Sequence, residues 1–249
     1  MNDRKAGFSR LVKGISPQRL LGDLSHAASL ERYGPKIFER IIWRVETDEP
    51  RIALTFDDGP HETSTPRLLE TLEKHRIPAT FFLVGKHVER HFPVAQQIVR
   101  AGHEVGNHTF SHVPLSFLST RKIREEIARA EVALCRLNGS KPKYMRPPSG
   151  FFTPRVLDIV EQMGYRLVIG DVYPRDSHRP GRKRIVQRVL KRTRSGSIII
   201  LHDGGNARRL DRSQTLGAVE DIIPRLTDLG FRFVLVSALI AAEGTQNGS

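Results

Sequence analysis

One cysteine, one tryptophan and four tyrosines among 249 residues set the first limits on this chain. Cys135 alone excludes a disulfide framework and a cysteine-based zinc site. No run approaches the ~18 consecutive apolar residues of a membrane helix. The N-terminus, Met1-Asn2-Asp3-Arg4-Lys5-Ala6-Gly7, carries basic residues with no apolar segment behind them. No signal peptide is legible there, and the expectation is a cytoplasmic protein. Finger, helix-turn-helix and RNA-recognition signatures are missing, which leaves no specific nucleic-acid reader. There is no low-complexity tract and no internal repeat beyond an alternation of strands and helices.

Charge of one sign is plentiful. Forty basic residues against 27 acidic give a formal charge of +13, so the surface should contact anionic polymers. Two blocks stand out. Arg179 to Arg194 reads as a solvated helix face; Arg208, Arg209 and Arg212 lie just past a candidate active-site strand and read as attracting substrate. The apolar fraction of 39% and charged fraction of 27% are those of a globular chain able to bury a full core.

From residue 50 onward, apolar runs alternate with helical patterns. Strands are expected at 51–56, 79–84, 103–107, 143–146, 166–170, 197–201 and 231–236. Between them, Ser64-Thr65-Pro66 offers a cap and first-turn proline for a helix to His75. Further helices are expected over 87–100, 120–137 with a stop at Asn138-Gly139, 153–164, 185–194 and 214–229. About seven β/α units follow, the pattern of a parallel sheet and of a closed barrel. An ordinary eightfold barrel uses ~250 residues, and the length after residue 50 is about one unit short of that. Residues 1–49 read as an N-terminal extension packed on the barrel, 50–242 as the catalytic domain and 243–249 as a frayed tail.

The chemistry gathers at strand ends. Asp57 and Asp58 close the first strand before Gly59-Pro60. Neighbours on a strand point to opposite faces, so one carboxylate is forced inward and must be ion-paired, metal-bound or catalytic. His108-Thr109-Phe110-Ser111-His112 follows the third strand, and imidazoles four apart on a helical turn can chelate one ion. One Asp and two His make a facial set that leaves a position open, as a catalytic metal site requires. Arg146-Pro147-Pro148-Ser149-Gly150 puts an arginine at the mouth, Asp171 and Asp176 flank Tyr173-Pro174, and Ile198 to Leu201 ends in His202-Asp203.

These segments in this order resemble the polysaccharide deacetylase family, the NodB-homology domain of carbohydrate esterase family 4, over residues 50–240. The resemblance implies an α/β fold, a distorted (β/α)7 barrel, which agrees with the unit count. It implies a divalent metal on Asp58, His108 and His112, zinc first, with cobalt or another transition metal as alternatives. Asp57 would be the general base, Arg146 its orienting partner, His202 the general acid and Asp176 the carboxylate that raises its pKa. The Ser149 N–H would help hold the oxyanion beside Pro148, and Leu201 would line the acetyl pocket. The implied reaction removes N-acetyl groups from an amino-sugar glycan and releases acetate.

Two departures bear on substrate. The family's fourth motif usually ends Asp-Trp, but Ser177 follows Asp176; the third often has an aromatic where Ser149 stands. Aromatic platforms for sugar rings are therefore sparse. The alternatives are a hydrolase of a small linear or cyclic amide on the same site, and a non-catalytic barrel that binds polyanions.

Overall fold

The computed structural model describes residues 39–205 and 210–241. Most of the expected N-terminal extension, the tail, and Arg208 and Arg209 lie outside the described residues. In chain order the strands are β1 (Ile41–Ile42), β2 (Arg51–Asp57), β3 (Thr80–Leu83), β4 (Glu104–Asn107), β5 (Tyr144–Met145), β6 (Arg166–Val168), β7 (Ile198–His202) and β8 (Arg232–Val234). The helices are α1 (Ser64–His75), α2 (Gly85–Arg90), α3 (Phe92–Arg100), α4 (Thr120–Asn138), α5 (Pro154–Gln162), α6 (Arg182–Arg192), α7 (Ser213–Asp228) and α8 (Val236–Ala241). None is long and apolar enough to cross a membrane.

All the strand pairings are parallel, in the order β1-β6-β5-β4-β3-β2-β7, with β8 off that path on β2. β3 takes the Thr55–Asp57 half of one β2 edge, and β8 the Arg51–Ala53 half. The sequence reading counted β8 as a stave and left Ile41–Ile42 in the extension; the structure does the reverse. A two-residue strand is too short to show a period in sequence.

The two ends of the path meet along a seam. Arg44 bridges Ser197, Val172 bridges Ile199, and Val45 N–H donates to the Gly196 carbonyl at 3.0 Å. Asp171 ties the same seam: Oδ1 accepts from the Ile198 N–H at 2.9 Å and Oδ2 from Ser197 Oγ at 3.1 Å. The wall is closed by bridges and one half-buried carboxylate rather than by a continuous ladder, which is the distortion of this (β/α)7 barrel.

Strand alternation sorts the side chains into two layers. Ile42, Ala53, Phe82, Tyr144, Val168 and Ile198 fill the barrel interior. Leu54, Phe56, Phe81 and Leu201 face outward against Leu68 and Leu72 of α1, Val189 of α6 and Ile222 of α7. Truncating one of these fully buried leucines to alanine should cost ~2–5 kcal/mol.

Local chemistry explains where helices start and stop. Ser119 caps α4 by accepting from the Lys122 N–H, and Gly139 ends it at φ 75°. Thr153 caps α5 in the same way. The single helix expected over 87–100 breaks at His91, because Pro93 begins a new helix in its first turn. The expected Ser64-Thr65 cap does not cap: no side chain caps α1, and both hydroxyls turn instead to Asp203.

Candidate active site

Asp57 is the last residue of β2, and Asp58 leaves the strand at φ 72°. That left-handed step overrides the alternation expected from sequence, so both carboxylates turn into the barrel mouth. Two contacts hold the turn. His87 Nδ1, on α2, donates to the Asp58 carbonyl at 2.8 Å, and Gly204 lies so close that a Cβ there would sit 2.1 Å from the same oxygen.

His108 and His112 meet Asp58 across the end of β4. The segment between them is not the helical turn expected from their spacing. Thr109 and His112 adopt left-handed backbone, at φ 65° and 60°, held by Asn107 Oδ1 accepting from Thr109 N–H at 2.8 Å. Such strained positions persist where the surroundings impose them, commonly at functional sites. The His108 and His112 Nε2 atoms stand 3.3 and 2.9 Å from Asp58 Oδ1.

The trio fits a divalent ion. The three ligand atoms lie within 4.8 Å of one another. Asp58 Oδ1 is buried without a hydrogen-bond partner, a costly state for a carboxylate oxygen unless a cation meets it. His108 Nδ1 donates to the Arg146 carbonyl at 2.7 Å, which leaves its Nε2 lone pair facing the site.

Asp57 sits beside the trio, 4% exposed, and Arg146 Nη1 donates to its Oδ1 at 2.6 Å. Arg146 is fully enclosed: Nη1 also reaches Thr55 Oγ1, Nε reaches the Val168 carbonyl, and the guanidinium lies 4.1 Å over the Phe82 ring. Gly106 makes room for that ring, since a Cβ there would fall 2.5 Å from it.

Across the mouth, His202 Nδ1 lies 2.8 Å from Asp176 Oδ1. Asp176 Oδ2 accepts from the His202 backbone N–H and from Thr215 Oγ1, both at 2.9 Å. Burial opposes protonation of His202, yet the Asp176 carboxylate outweighs it and lifts the imidazole to about 9. This pairing makes a proton donor from a residue that would otherwise be neutral at pH 7.

The structure brings Asp57, Asp58, His108, His112, Arg146, Asp176 and His202 to one mouth, with Pro148 buried and Ser149 exposed at its rim at φ 59°. Leu201 is a correction. It pairs with Phe56 and lies in the helix-facing layer, on the opposite side from His202. Ile200, in register with Thr55, shares the His202 face.

Asp203, Tyr173 and Thr215 have no role assigned to them from sequence. Asp203 fills the space beside Gly59, accepts from Thr65 Oγ1 at 2.5 Å, and is pushed up to about 7 by burial. Tyr173 packs at a tilt beside His202, ring centroids 6.0 Å apart, with its hydroxyl bonded to Ser177 Oγ at 2.8 Å. Thr215 belongs to α7, where nothing in the helical pattern separates it from its neighbours. Arg212, read from sequence as attracting substrate, is buried beneath the site instead. The α6 block is largely the solvated face expected, although Arg188 bonds the Pro174 carbonyl at 2.8 Å.

Residues 44–168 match the family model described as polysaccharide deacetylase. A peptidoglycan-N-acetylglucosamine deacetylase of Bacillus cereus is 39% identical over 210 residues, spanning 80% of this chain and 92% of that protein. A chitooligosaccharide deacetylase of Sinorhizobium fredii is 38% identical over 77% of this chain and 93% of its own length. Among solved structures, a peptidoglycan N-acetylglucosamine deacetylase in complex with 4-naphthalen-1-yl-N-oxidanyl-benzamide superposes with TM-score 0.78 at 31% identity, over 83% of this chain and 96% of that one. A pseudoenzyme of the same esterase family from Bacillus anthracis also superposes, with TM-score 0.74 at 28% identity, over 81% of this chain and 69% of its own. The fold, the ordered strand-end residues and these likenesses agree: the chain belongs to the polysaccharide deacetylase family.

Proposed function

We propose that this protein removes N-acetyl groups from an amino-sugar glycan of the peptidoglycan or chitooligosaccharide kind, with zinc held by Asp58, His108 and His112. The observation that carries the reading is completeness. One mouth holds an ion-ready trio, a buried carboxylate locked to Arg146, and an imidazole raised by Asp176. A family that includes a pseudoenzyme makes that completeness, rather than family likeness, the argument for activity.

A divalent ion in the trio would supply Lewis acidity toward the acetamide carbonyl and lower the pKa of water. Asp57, held in place by Arg146, accepts the proton of the water that attacks the carbonyl carbon. The Ser149 backbone N–H, at the rim, helps hold the developing oxyanion. His202 passes its proton to the departing nitrogen as the C–N bond breaks, so the leaving group is a neutral amine. The products are acetate and a free amino sugar.

The test is acetate release from acetylated chitooligosaccharides, peptidoglycan and small amides, before and after chelation. Release should vanish with chelation, return with zinc or cobalt, and favour the glycans. Release that survives thorough chelation overturns the metal reading; release from small amides alone overturns the glycan.

A further inference from the structure

Arg212 is a buried cation that the reaction scheme leaves without a task. It lies just before α7, 8% exposed, and its Nε and Nη2 both donate to the Gly204 carbonyl, at 2.9 and 2.5 Å. Gly204 is the residue whose backbone presses on the Asp58 carbonyl. The same Nη2 stands 3.7 Å from Asp58 Oδ2, while the other carboxylate oxygen, Oδ1, faces His108 and His112. One guanidinium therefore grips the backbone behind Asp58 and faces the carboxylate oxygen turned away from the imidazoles.

We propose that Arg212 is a positioning residue that keeps Asp58 a one-oxygen ligand, holding Oδ2 back so that only Oδ1 is offered to the ion. The inference rests on the metal reading above and extends it. A carboxylate that shares its charge with a guanidinium is a poorer donor, so the ion keeps more of its own charge. A second oxygen on the ion would also fill a place that water or the acetyl oxygen needs. Arg212 thus trades affinity for reactivity: its positive charge, close to the ligand, repels the ion it helps to activate.

That trade gives a test with an unusual sign. Arg212→Met removes the charge, and Arg212→Gln removes it while keeping a donor for the Gly204 carbonyl. Each protein is loaded with Co2+, and affinity is measured by chelator competition alongside visible absorption, circular dichroism and turnover. Both variants should bind Co2+ about tenfold tighter than the parent. They should show a weaker visible band, as a higher coordination number produces, and lose kcat more than KM. If the Met variant does not fold, the Gln variant decides alone. Affinity and absorption equal to the parent's overturn the proposal. So does weaker binding, which would make Arg212 a support of the fold only. A parent protein that takes up no Co2+ overturns the metal reading itself, an outcome distinct from either.

Discussion

The guanidinium of Arg146 and the carboxylate of Asp57 form a sealed pair, 2.6 Å apart and both buried, with no solvent to replace either partner. Breaking such a pair from one side leaves an uncompensated charge, which costs ~3–5 kcal/mol. Arg146→Met should lower stability by about that amount in urea unfolding. Asp57→Asn should keep Co2+ binding yet lose most turnover, and the double variant should recover part of the stability lost in Arg146→Met. Unchanged turnover in Asp57→Asn removes that residue from the role of base.

The pair across the mouth makes a prediction about pH. His202 is raised from its ordinary 6.5 to about 9 against the pull of burial, chiefly by Asp176. A raised histidine contributes stability that is complete below its unfolded pKa and is lost as pH rises through the folded one, here between about 6.5 and 9. The acid form is also the working form, so turnover should fall as pH rises through that upper limit. A divalent cation beside Asp58 would move the limit down, because it cancels carboxylate charge that helps to hold the proton. Asp176→Asn should shift the alkaline limb of kcat/KM to lower pH by at least a unit; a limb that stays in place would detach Asp176 from the acid.

Glycines separate two kinds of constraint. At Gly204 the obstacle is space, since a Cβ would stand 2.1 Å from the Asp58 carbonyl oxygen; at Gly139 it is backbone conformation alone, φ 75° with nothing nearby. Gly139→Ala should cost ~1–2 kcal/mol and leave ion binding untouched. Gly204→Ala should cost a comparable ~1–3 kcal/mol but also weaken Co2+ binding by more than tenfold, because Asp58 must shift. Equal Co2+ affinity in the two variants would show that the contact at Asp58 has no bearing on the ion.

The residues legible in sequence were those at strand ends, because parallel barrels concentrate chemistry there and short apolar runs mark where strands stop. Asp57, Asp58, His108 and His202 were found that way. Leu201 stands beside His202 in the motif, but the strand's two-residue period puts it on the side away from His202. The turn through Asp58 and the loop through Thr109 were misread for one reason: left-handed backbone at non-glycine residues leaves no mark in composition. Thr215 and His87 were invisible because each reaches the site from a helix, where polar residues ordinarily mean solvent; Arg212 reads as a surface charge because nothing in its sequence neighbourhood marks it as buried. Ser64 and Thr65 misled in the opposite direction, looking like a helix cap while bonding Asp203.

The seam has a mechanical consequence. Asp57, Arg146 and the ion trio belong to the continuous part of the wall, whereas the Asp176–His202 pair straddles the join that Val172, Arg44 and Asp171 stitch together. Loosening the join separates His202 from Asp176, the carboxylate that holds its proton, while His202 stays beside Asp57, its partner in register on β2. Warming should therefore silence the molecule before it melts: the ion stays bound and the sheet stays folded while the leaving nitrogen finds no proton. Durability of the catalyst and durability of the fold are set at different places in this wall.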